Sequence, residues 1–206
     1  MNKSAEQTYG FQRYDHKSRW ISYWHQINEV LSLNPRNVLE VGAGNKTVAN
    51  YLKNKNIEVT TMDIDGGIGP DVVASVLKMP FADNSFDVVL CAEVLEHLPF
   101  ENLAKGLEEL KRVTRKNVVL SLPHFGCSLK LNFKIPLLRE RTVAFRFPFP
   151  RRHRFNGEHY WEVGKRGYAV GKVRKMVANY FKIKKEFIPF ENQYHRFFIL
   201  EKTNEK

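Results

Sequence analysis

Two glycines and two acids lie where short apolar segments of the sequence end. Gly42 and Gly44 follow the segment VLEV, Glu40 lies within that segment, and Asp63 closes the segment EVTTMD. Glycines allow a tight turn and a close approach of the backbone to a ligand. An acid about 20 residues beyond such a pair can accept hydrogen bonds from the two hydroxyls of a ribose. The spacing predicts a site for a nucleoside-containing cofactor.

The glycine pair does not complete a dinucleotide-binding motif. In the pattern G-x-G-x-x-G/A starting at Gly42, the third small residue falls on Thr47. Glu40 would be unfavourable beside a pyrophosphate. It would be favourable beside a cation or an amino group, because opposite charge stabilises a partly buried carboxylate. A cationic ligand therefore suits this loop better than a dinucleotide.

Three histidines are candidate proton acceptors, because histidine exchanges a proton readily near neutral pH. His97 lies in CAEVLEHLP, His124 follows the fifth predicted strand, and His159 lies in FNGEHYWEVGKRGY. His159 is the preferred base, with Tyr160 and Trp161 as walls of an acceptor pocket. Each residue also has a plain structural interpretation, which is a histidine bonded to backbone or an aromatic ring packed in the core.

The elements that must position these residues alternate between strands and helices as far as Pro123. Apolar runs begin near residues 37, 58, 71, 86 and 117, and helical periodicity covers 46–55 and 103–113. Parallel strands need crossover helices, so this order predicts a parallel sheet covered on both faces. An amphipathic helix ending near residue 34 comes first, with its apolar face formed by Ile21, Trp24, Ile27 and Leu31.

The alternation stops after Pro123. Residues 124–160 show no helical period, and a long irregular insertion of this kind is usually functional. A helix over 170–181 and strands at 184–190 and 195–202 complete the chain. We expect one domain, made of an N-terminal helical segment (1–35), a cofactor-binding core (36–123), a basic insertion over the substrate (124–160), and a last helix with two strands (161–206).

The positive charge is concentrated in the second part of the chain. Residues 1–123 hold 14 Lys and Arg against 15 Asp and Glu, whereas residues 124–206 hold 19 against 7, a net charge of +12. This excess predicts an anionic partner. We expect a phosphate-bearing substrate to be bound by Arg151, Arg152 and Arg154, with Lys130 and Lys134. A solvated basic surface without a partner is the alternative.

Composition argues against several classes of protein. Cys91 and Cys127 are too few for a disulfide framework and lack the spacing of metal ligands, so no metal site is expected. There is no apolar window long enough for a membrane helix, and the first 17 residues lack the apolar core of a secretion signal. We expect a cytoplasmic protein.

Several ordered motifs are specific when taken together. VLEVGAG, VTTMDID and LKMPFADNSFDVVLCAEVLEHL resemble the class I S-adenosylmethionine-dependent methyltransferases, closest to the type 11 branch, over residues 37–123. The resemblance implies a Rossmann-like α/β fold. Its mostly parallel seven-stranded sheet would have helices on both faces and an antiparallel C-terminal hairpin. The resemblance also implies S-adenosylmethionine as the cofactor.

The resemblance places nine residues at strand ends around that cofactor: Glu40, Gly42, Gly44, Asp63, Ile64, Ser75, Val76, Cys91 and Glu93. Asp63 would bind the ribose hydroxyls and Ile64 would flank the adenine. Glu93 would orient an acceptor hydroxyl or cap the following helix. Two positions depart from the family pattern, because Lys46 stands where a third glycine is common and Ser75 where an acid is common.

The predicted function is methyl transfer to oxygen or nitrogen of a small-molecule or lipid-linked acceptor. The insertion and the GEHYW segment resemble methyltransferases found with polysaccharide biosynthesis, and this resemblance implies a glycan precursor as the acceptor. An RNA methyltransferase is one alternative, because FRFPFPRRHRF mixes positive charge with aromatic rings. A noncatalytic S-adenosylmethionine-binding protein is another, because a fold does not by itself establish activity. Peripheral contact with a membrane is compatible with the basic half, and the oligomeric state is left open.

Overall fold

The computed structural model describes residues 14–136, 141–147, 149 and 151–203. The N-terminal helical segment predicted over 1–35 is therefore described from residue 14 onward. Within the insertion predicted over 124–160, residues 137–140, 148 and 150 lie outside the described residues. None of the described helices is both long enough and apolar enough to cross a lipid bilayer.

The helices and strands follow one another in this order: α1 (Lys17–Ser32), β1 (Asn37–Val41), α2 (Thr47–Lys53), β2 (Glu58–Asp63), β3 (Val72–Val73), β4 (Phe86–Ala92), α3 (Leu103–Val113), β5 (Thr114–Pro123), β6 (Cys127–Phe133), β7 (Arg141–Phe147), α4 (Val170–Ala178), β8 (Phe181–Phe187) and β9 (His195–Lys202). Single turns of 3₁₀ helix lie at Gly66–Ile68, Leu95–His97 and Phe100–Asn102.

Seven strands form one sheet in the order β3-β2-β1-β4-β5-β9-β8. The first five are parallel, whereas β9 pairs antiparallel with both β5 and β8. The sequence-based prediction of a mostly parallel seven-stranded sheet with a C-terminal antiparallel hairpin is confirmed. Because the chain starts in the middle and winds outward in both directions, the strand order reverses between β1 and β4.

The sheet is covered on both faces by helices, which accounts for its apolar strands. In β4, Val89 and Cys91 join a core cluster that contains residues of α3 and α4. Val88 and Leu90, which alternate with them, join a second cluster that contains residues of α1 and α2. Alternation along one strand therefore supplies both cores.

Helix α1 is present as predicted, but the predicted apolar face is not the buried one. Trp24 is 60% exposed and Leu31 is 36% exposed. The residues of α1 that are buried are Ser22, Tyr23, Gln26, Glu29 and Val30. The hydrophobic period located the helix correctly. The orientation differs because α1 turns a largely polar face toward the carboxyl ends of the sheet.

The insertion after β5 contains regular structure where an irregular segment was predicted. Strands β6 and β7 pair antiparallel from Cys127↔Phe147 to Phe133↔Arg141 and form a two-stranded hairpin outside the main sheet. Strand β6 contains most of the run LKLNFKIP (129–136), in which apolar and polar residues alternate as they do in an extended segment. The expectation of an irregular insertion is corrected by the cross-strand pairing with β7.

Candidate active site

Two adjoining clefts lie at the carboxyl ends of β1, β2 and β4, where the strand order reverses. The first cleft has a volume of about 350 Å³ and the second about 260 Å³. Residues that line both clefts are Tyr14, Val41, Gly42, Gly44, Glu93 and His97. Ligands of open parallel sheets bind at such a reversal, so these clefts form the candidate active site.

The glycine loop after β1 forms the shared wall of the clefts. Gly42 and Gly44 have φ angles of +76° and +50°, in the left-handed region that favours glycine. A Cβ at Gly42 would overlap the side chain of Val94. The Gly44 amide donates a hydrogen bond of 3.3 Å to Oδ2 of Asp63. The loop thus holds backbone close to the cleft and joins β1 to the acid that ends β2.

Lys46 occupies a backbone conformation that explains why a glycine is common at its position. Its φ is +60°, which is unusual for a residue with a side chain. Its ammonium donates a hydrogen bond to the backbone carbonyl of Gly69. Lys46 is therefore accommodated where a glycine is common, because its side chain extends toward the 3₁₀ helix after β2.

The second cleft contains the residues predicted to hold a ribose and an adenine. Asp63 lines it, and Oδ1 of Asp63 accepts a hydrogen bond of 3.0 Å from the Asp65 amide. Ile64 is 74% exposed beside it. Ser75 and Val76 line the same cleft. These four predicted residues, which come from two separate strand ends, are brought together by the fold.

Glu40 is buried at the floor of the first cleft. Burial raises the pKa of its carboxyl to about 8, and a hydrogen bond from the Ala49 amide opposes this effect. Oε2 of Glu40 has no hydrogen-bond partner among the described residues. A buried carboxylate oxygen without a partner is costly, so a cationic or hydrogen-bonding ligand in the cleft would stabilise its ionised form.

Glu93 ends β4 in an unusual conformation and connects to β9. Its φ of +54° is rare for a residue with a side chain. The Ser121 hydroxyl donates a hydrogen bond of 2.7 Å to Oε1 of Glu93, and Nε2 of His195 lies 3.4 Å from Oε2. The hydroxyl of Ser22 contacts the other ring nitrogen of His195. Glu93 therefore faces the cleft as part of a buried polar network and does not cap the next helix.

His97 and His159 both line the first cleft, with ring centroids 5.1 Å apart. Nδ1 of His97 contacts the backbone carbonyl of Glu158 at 3.0 Å. Nδ1 of His159 lies 3.5 Å from Oε1 of the buried Glu162. Burial acts to raise the pKa of Glu162, but hydrogen bonds from His159 and Lys165 hold it below its usual value. An ionised carboxylate thus orients the ring of His159.

A buried acid, Glu96, lies beside His97 and His159 in a group that no sequence motif indicated. Glu96 is fully buried, and neither of its carboxylate oxygens has a hydrogen-bond partner among the described residues. Burial and the charge of Glu93 raise its pKa. Glu96, His97 and His159 offer possible metal-ligand atoms within 4.8 Å of one another. Short-range sequence spacing does not reveal this group, because 62 positions separate His97 from His159.

Three predicted site residues lie away from the clefts. Cys91 is wholly buried in the core, where burial raises the pKa of its thiol. Trp161 is also wholly buried, and its indole donates a hydrogen bond of 3.1 Å to the Leu98 carbonyl. Tyr160 packs on Phe155 at the surface, with ring centroids 4.7 Å apart. Trp161 is therefore a core residue and not a pocket wall, since the main sheet and α4 enclose it.

His124 lies in a different cavity, against the β6–β7 hairpin. Its Nδ1 is 3.1 Å from Nε of Arg196. Burial and the charges of Arg196 and Arg146 lower the pKa of His124 to about 3. The structure thus separates His124 from the two clefts, because the chain turns away from the sheet immediately after Pro123.

The predicted basic residues do not line either cleft in the part of the chain that the structure describes. Arg151, Arg152 and Arg154 are exposed, and within the described part of the chain the lining of the two clefts does not include them. The Lys130 ammonium donates a hydrogen bond of 3.2 Å to the Glu191 carbonyl, and Lys134 is exposed. Their role in binding a phosphate-bearing substrate stays a prediction.

Sequence reasoning missed the residues that α1 and β9 bring to the first cleft: Arg19, Ser22, Tyr23, Gln26, Tyr194 and His195. Arg19 lies over the ring of Tyr14, and its Nε has no hydrogen-bond partner within the described residues. The available signal was a stripe of polar residues at helical spacing in α1. Such a stripe is normally interpreted as the solvent face of a helix.

Comparison with known proteins agrees with this geometry. Residues 39–122 match the family model described as a methyltransferase domain. The matched segment carries the glycine loop, Asp63 and Glu93. The fold of the chain resembles that of the PH0226 protein from Pyrococcus horikoshii OT3, with a TM-score of 0.64, 13% identity, and coverage of 98% of this chain and 100% of that chain.

A second solved structure resembles the fold to a similar degree. It is the N-methyltransferase NodS from Bradyrhizobium japonicum WM9 in complex with S-adenosylhomocysteine, with a TM-score of 0.62 and 10% identity. The alignment covers 92% of this chain and 90% of that chain. At such low identities, the two likenesses concern the fold alone.

A curated relative extends the similarity at the level of sequence. The demethylmenaquinone methyltransferase of Thermotoga maritima is 27% identical over 133 residues, which are 54% of this chain and 57% of that protein. The curated relatives that the chain matches are covered over 18% and 57% of their own lengths.

Proposed function

We propose that this protein transfers a methyl group from S-adenosylmethionine to oxygen or nitrogen of a small-molecule or lipid-linked acceptor. One observation supports the proposal above all. The glycine loop, Asp63 and the unpartnered Oε2 of Glu40 lie together where the strand order reverses. These three features match a ligand that has a ribose and a cationic end.

The described residues fit this cofactor. Bound there, S-adenosylmethionine supplies a methyl group attached to a positively charged sulfur. Asp63 would accept hydrogen bonds from the ribose, and Gly42 and Gly44 would bring the backbone close to the methionine part. Glu40 would stabilise the cationic end by its charge. The complex of NodS with S-adenosylhomocysteine supports this assignment.

The residues in the cleft can orient an acceptor and remove a proton from it. Methyl transfer needs chiefly alignment of the reacting atoms, with a base only if the acceptor atom carries a proton. His159 is the base in this proposal, because Glu162 orients its ring and would stabilise its protonated form. Glu93 would position an acceptor hydroxyl from the opposite wall of the same cleft.

An anionic acceptor is favoured by Arg19. This side chain lines the first cleft, where its guanidinium lies over the ring of Tyr14. A guanidinium in such a position is suited to a phosphate or carboxylate. Arg19 therefore carries the proposed recognition of a phosphate-bearing acceptor more directly than the exposed arginines at 151–154.

Two measurements test the proposal. Calorimetry should detect S-adenosylmethionine binding to the purified protein. Incubation of cell extract with the protein and a cofactor labelled in the methyl group should then label a small-molecule or lipid fraction. Label recovered in RNA would favour the alternative acceptor, and cofactor binding without labelling of any fraction would favour a noncatalytic binding protein. Absence of cofactor binding would contradict the proposal.

A further inference from the structure

The β6–β7 hairpin has one face made almost entirely of apolar side chains. Residues directly opposite in an antiparallel pair lie on the same face, and the register pairs Leu129 with Phe145 and Leu131 with Val143. The same register and alternation place eight residues on this face: Cys127, Leu129, Leu131, Phe133, Arg141, Val143, Phe145 and Phe147. The large apolar members are between 37% and 55% exposed.

The opposite face of the hairpin attaches it to the rest of the protein. The guanidinium of Arg146 donates hydrogen bonds to the backbone carbonyls of His124 and Gln193. The Lys130 ammonium donates a hydrogen bond to the Glu191 carbonyl and lies 5.7 Å from the centroid of the Phe190 ring. Because Lys130 and Arg146 are held against the body of the protein, the apolar face is directed outward.

Positive charge is concentrated in the stretch of chain that carries this apolar face. Residues 124–157 contain eight Lys and Arg against one acid. Arg141 is exposed on the apolar face itself, and Lys134 follows directly after β6. Arg151, Arg152 and Arg154 are exposed shortly after β7, and further exposed aromatic rings, Phe149 and Phe155, lie in the same stretch. An apolar surface bordered by cations matches the boundary between lipid chains and anionic headgroups.

We propose that the β6–β7 hairpin docks this protein on an anionic membrane surface. The apolar face would enter the interface, and the surrounding Lys and Arg would contact lipid headgroups. Contiguous apolar surface of this kind is rare on monomeric soluble proteins unless it serves an interaction. A lipid surface fits better than a nucleic acid, because Leu129, Leu131 and Val143 are aliphatic and cannot stack on bases as aromatic rings do.

This inference deepens the proposed function, because a docked enzyme could reach a lipid-linked acceptor. Its test needs neither cofactor nor methyl transfer, so the two proposals can fail separately. The protein is mixed with vesicles of phosphatidylcholine alone, or of phosphatidylcholine with phosphatidylglycerol, and bound protein is measured by co-sedimentation. We expect binding to the anionic vesicles and much weaker binding to the neutral ones.

Two variants divide the apolar from the electrostatic contribution. Phe133→Ser with Phe145→Ser should weaken binding roughly tenfold or more, because two rings leave the interface. Reversal of Arg151, Arg152 and Arg154 to Glu should weaken it by roughly a hundredfold. Tyr51→Ser is the matched control, since Tyr51 is 44% exposed on α2, outside the hairpin. That control should bind like the wild type.

A conservative variant protects the test against misfolding. Phe145→Trp keeps an aromatic ring on the apolar face, and its fluorescence should shift to the blue when anionic vesicles are added. Wild-type protein that fails to bind anionic vesicles would overturn the proposal, as would full binding by the double serine variant. A wild-type dimer that the serine variant dissociates, without vesicle binding by either protein, would assign the face to a second copy of this chain instead.

Discussion

The two clefts and the β6–β7 hairpin are built in opposite ways. The clefts gather polar groups from distant parts of the chain, such as Glu40 and His195, and bury them at the strand ends. The hairpin is local in sequence and turns its apolar side chains outward. The clefts therefore depend on exact backbone positions, whereas the hairpin depends on the chemical character of a surface. Substitutions should act on chemistry and cofactor affinity in the first region, and on association in the second.

The largest effect is expected for the base in the first cleft. His159→Asn should lower turnover by about 100-fold or more, because a positioned base contributes on this scale. Affinity for S-adenosylmethionine should stay unchanged in calorimetry. His97→Asn is the matched control, because His97 faces the same cleft but its Nδ1 contacts a backbone carbonyl instead of a carboxylate. Equal turnover in wild type and His159→Asn would leave His159 with a structural role.

Replacement of Asp63, the acid proposed to bind the ribose, should have the next largest effect, which is on cofactor affinity. Asp63→Ala should weaken S-adenosylmethionine binding by about 1.5 to 3 kcal/mol, the range for hydrogen bonds to a charged group. This is roughly a 10- to 150-fold loss of affinity, which calorimetry can measure. Asp65→Ala is the control, because its carboxylate accepts a hydrogen bond from the Gly67 amide and does not line either cleft in the described chain. Unchanged affinity in Asp63→Ala would remove this residue from the cofactor site.

Two glycines with positive φ angles, Gly42 and Gly157, test how far the backbone is constrained. Gly42→Ala should lower the free energy of unfolding by about 2 kcal/mol, because the new Cβ meets Val94 at a positive φ. Gly157→Ala should cost less, about 1 kcal/mol, since its φ is +97° but no described atom lies within 4 Å of the added Cβ. Denaturant unfolding measures both. Adding Val94→Ala to Gly42→Ala should restore part of the loss, and equal costs at the two glycines would contradict the difference in packing.

The smallest effect concerns the buried acid in β1. The pKa of Glu40 is about 8 in the folded protein and 4.5 in its usual range, so the folded state holds a proton that the unfolded chain releases. Stability from this group is therefore highest below pH 4.5 and falls as pH rises toward 8. Glu40→Gln should remove that fall and raise the free energy of unfolding at pH 6 by on the order of 2 kcal/mol relative to wild type, with little change at pH 4.

Bound cofactor gives a further check on Glu40. A cation near the carboxylate favours its ionised form, so saturating S-adenosylmethionine should reduce the pH dependence of wild-type unfolding. The Glu40→Gln variant should show no such change. A pH dependence that is identical in wild type and variant would place the titrating group elsewhere.

The positions of the main residues of the candidate cofactor site can be predicted from local sequence patterns. Gly42, Gly44 and Asp63 could be placed because each follows a short apolar strand, and parallel strands bring such ends to one edge of a sheet. The alternating elements predicted the sheet, and the extent of β9 agrees with the predicted strand at 195–202. These features depend on local periodicity and on residue types with narrow conformational roles, which a single sequence displays.

For the remaining residues, burial and contact partners depend on how the helices and strands pack, which the sequence patterns do not show. The hydrophobic period of α1 could not show that Ser22 and Gln26, instead of Trp24, are buried. The contact of Glu93 with His195 and the approach of His97 to His159 depend on how separate elements pack. The outward direction of the β6–β7 face is set by the contacts of Arg146 and Lys130 with backbone carbonyls more than 20 positions away. Periodicity states which side chains share a face, but the packing partners alone determine where that face points.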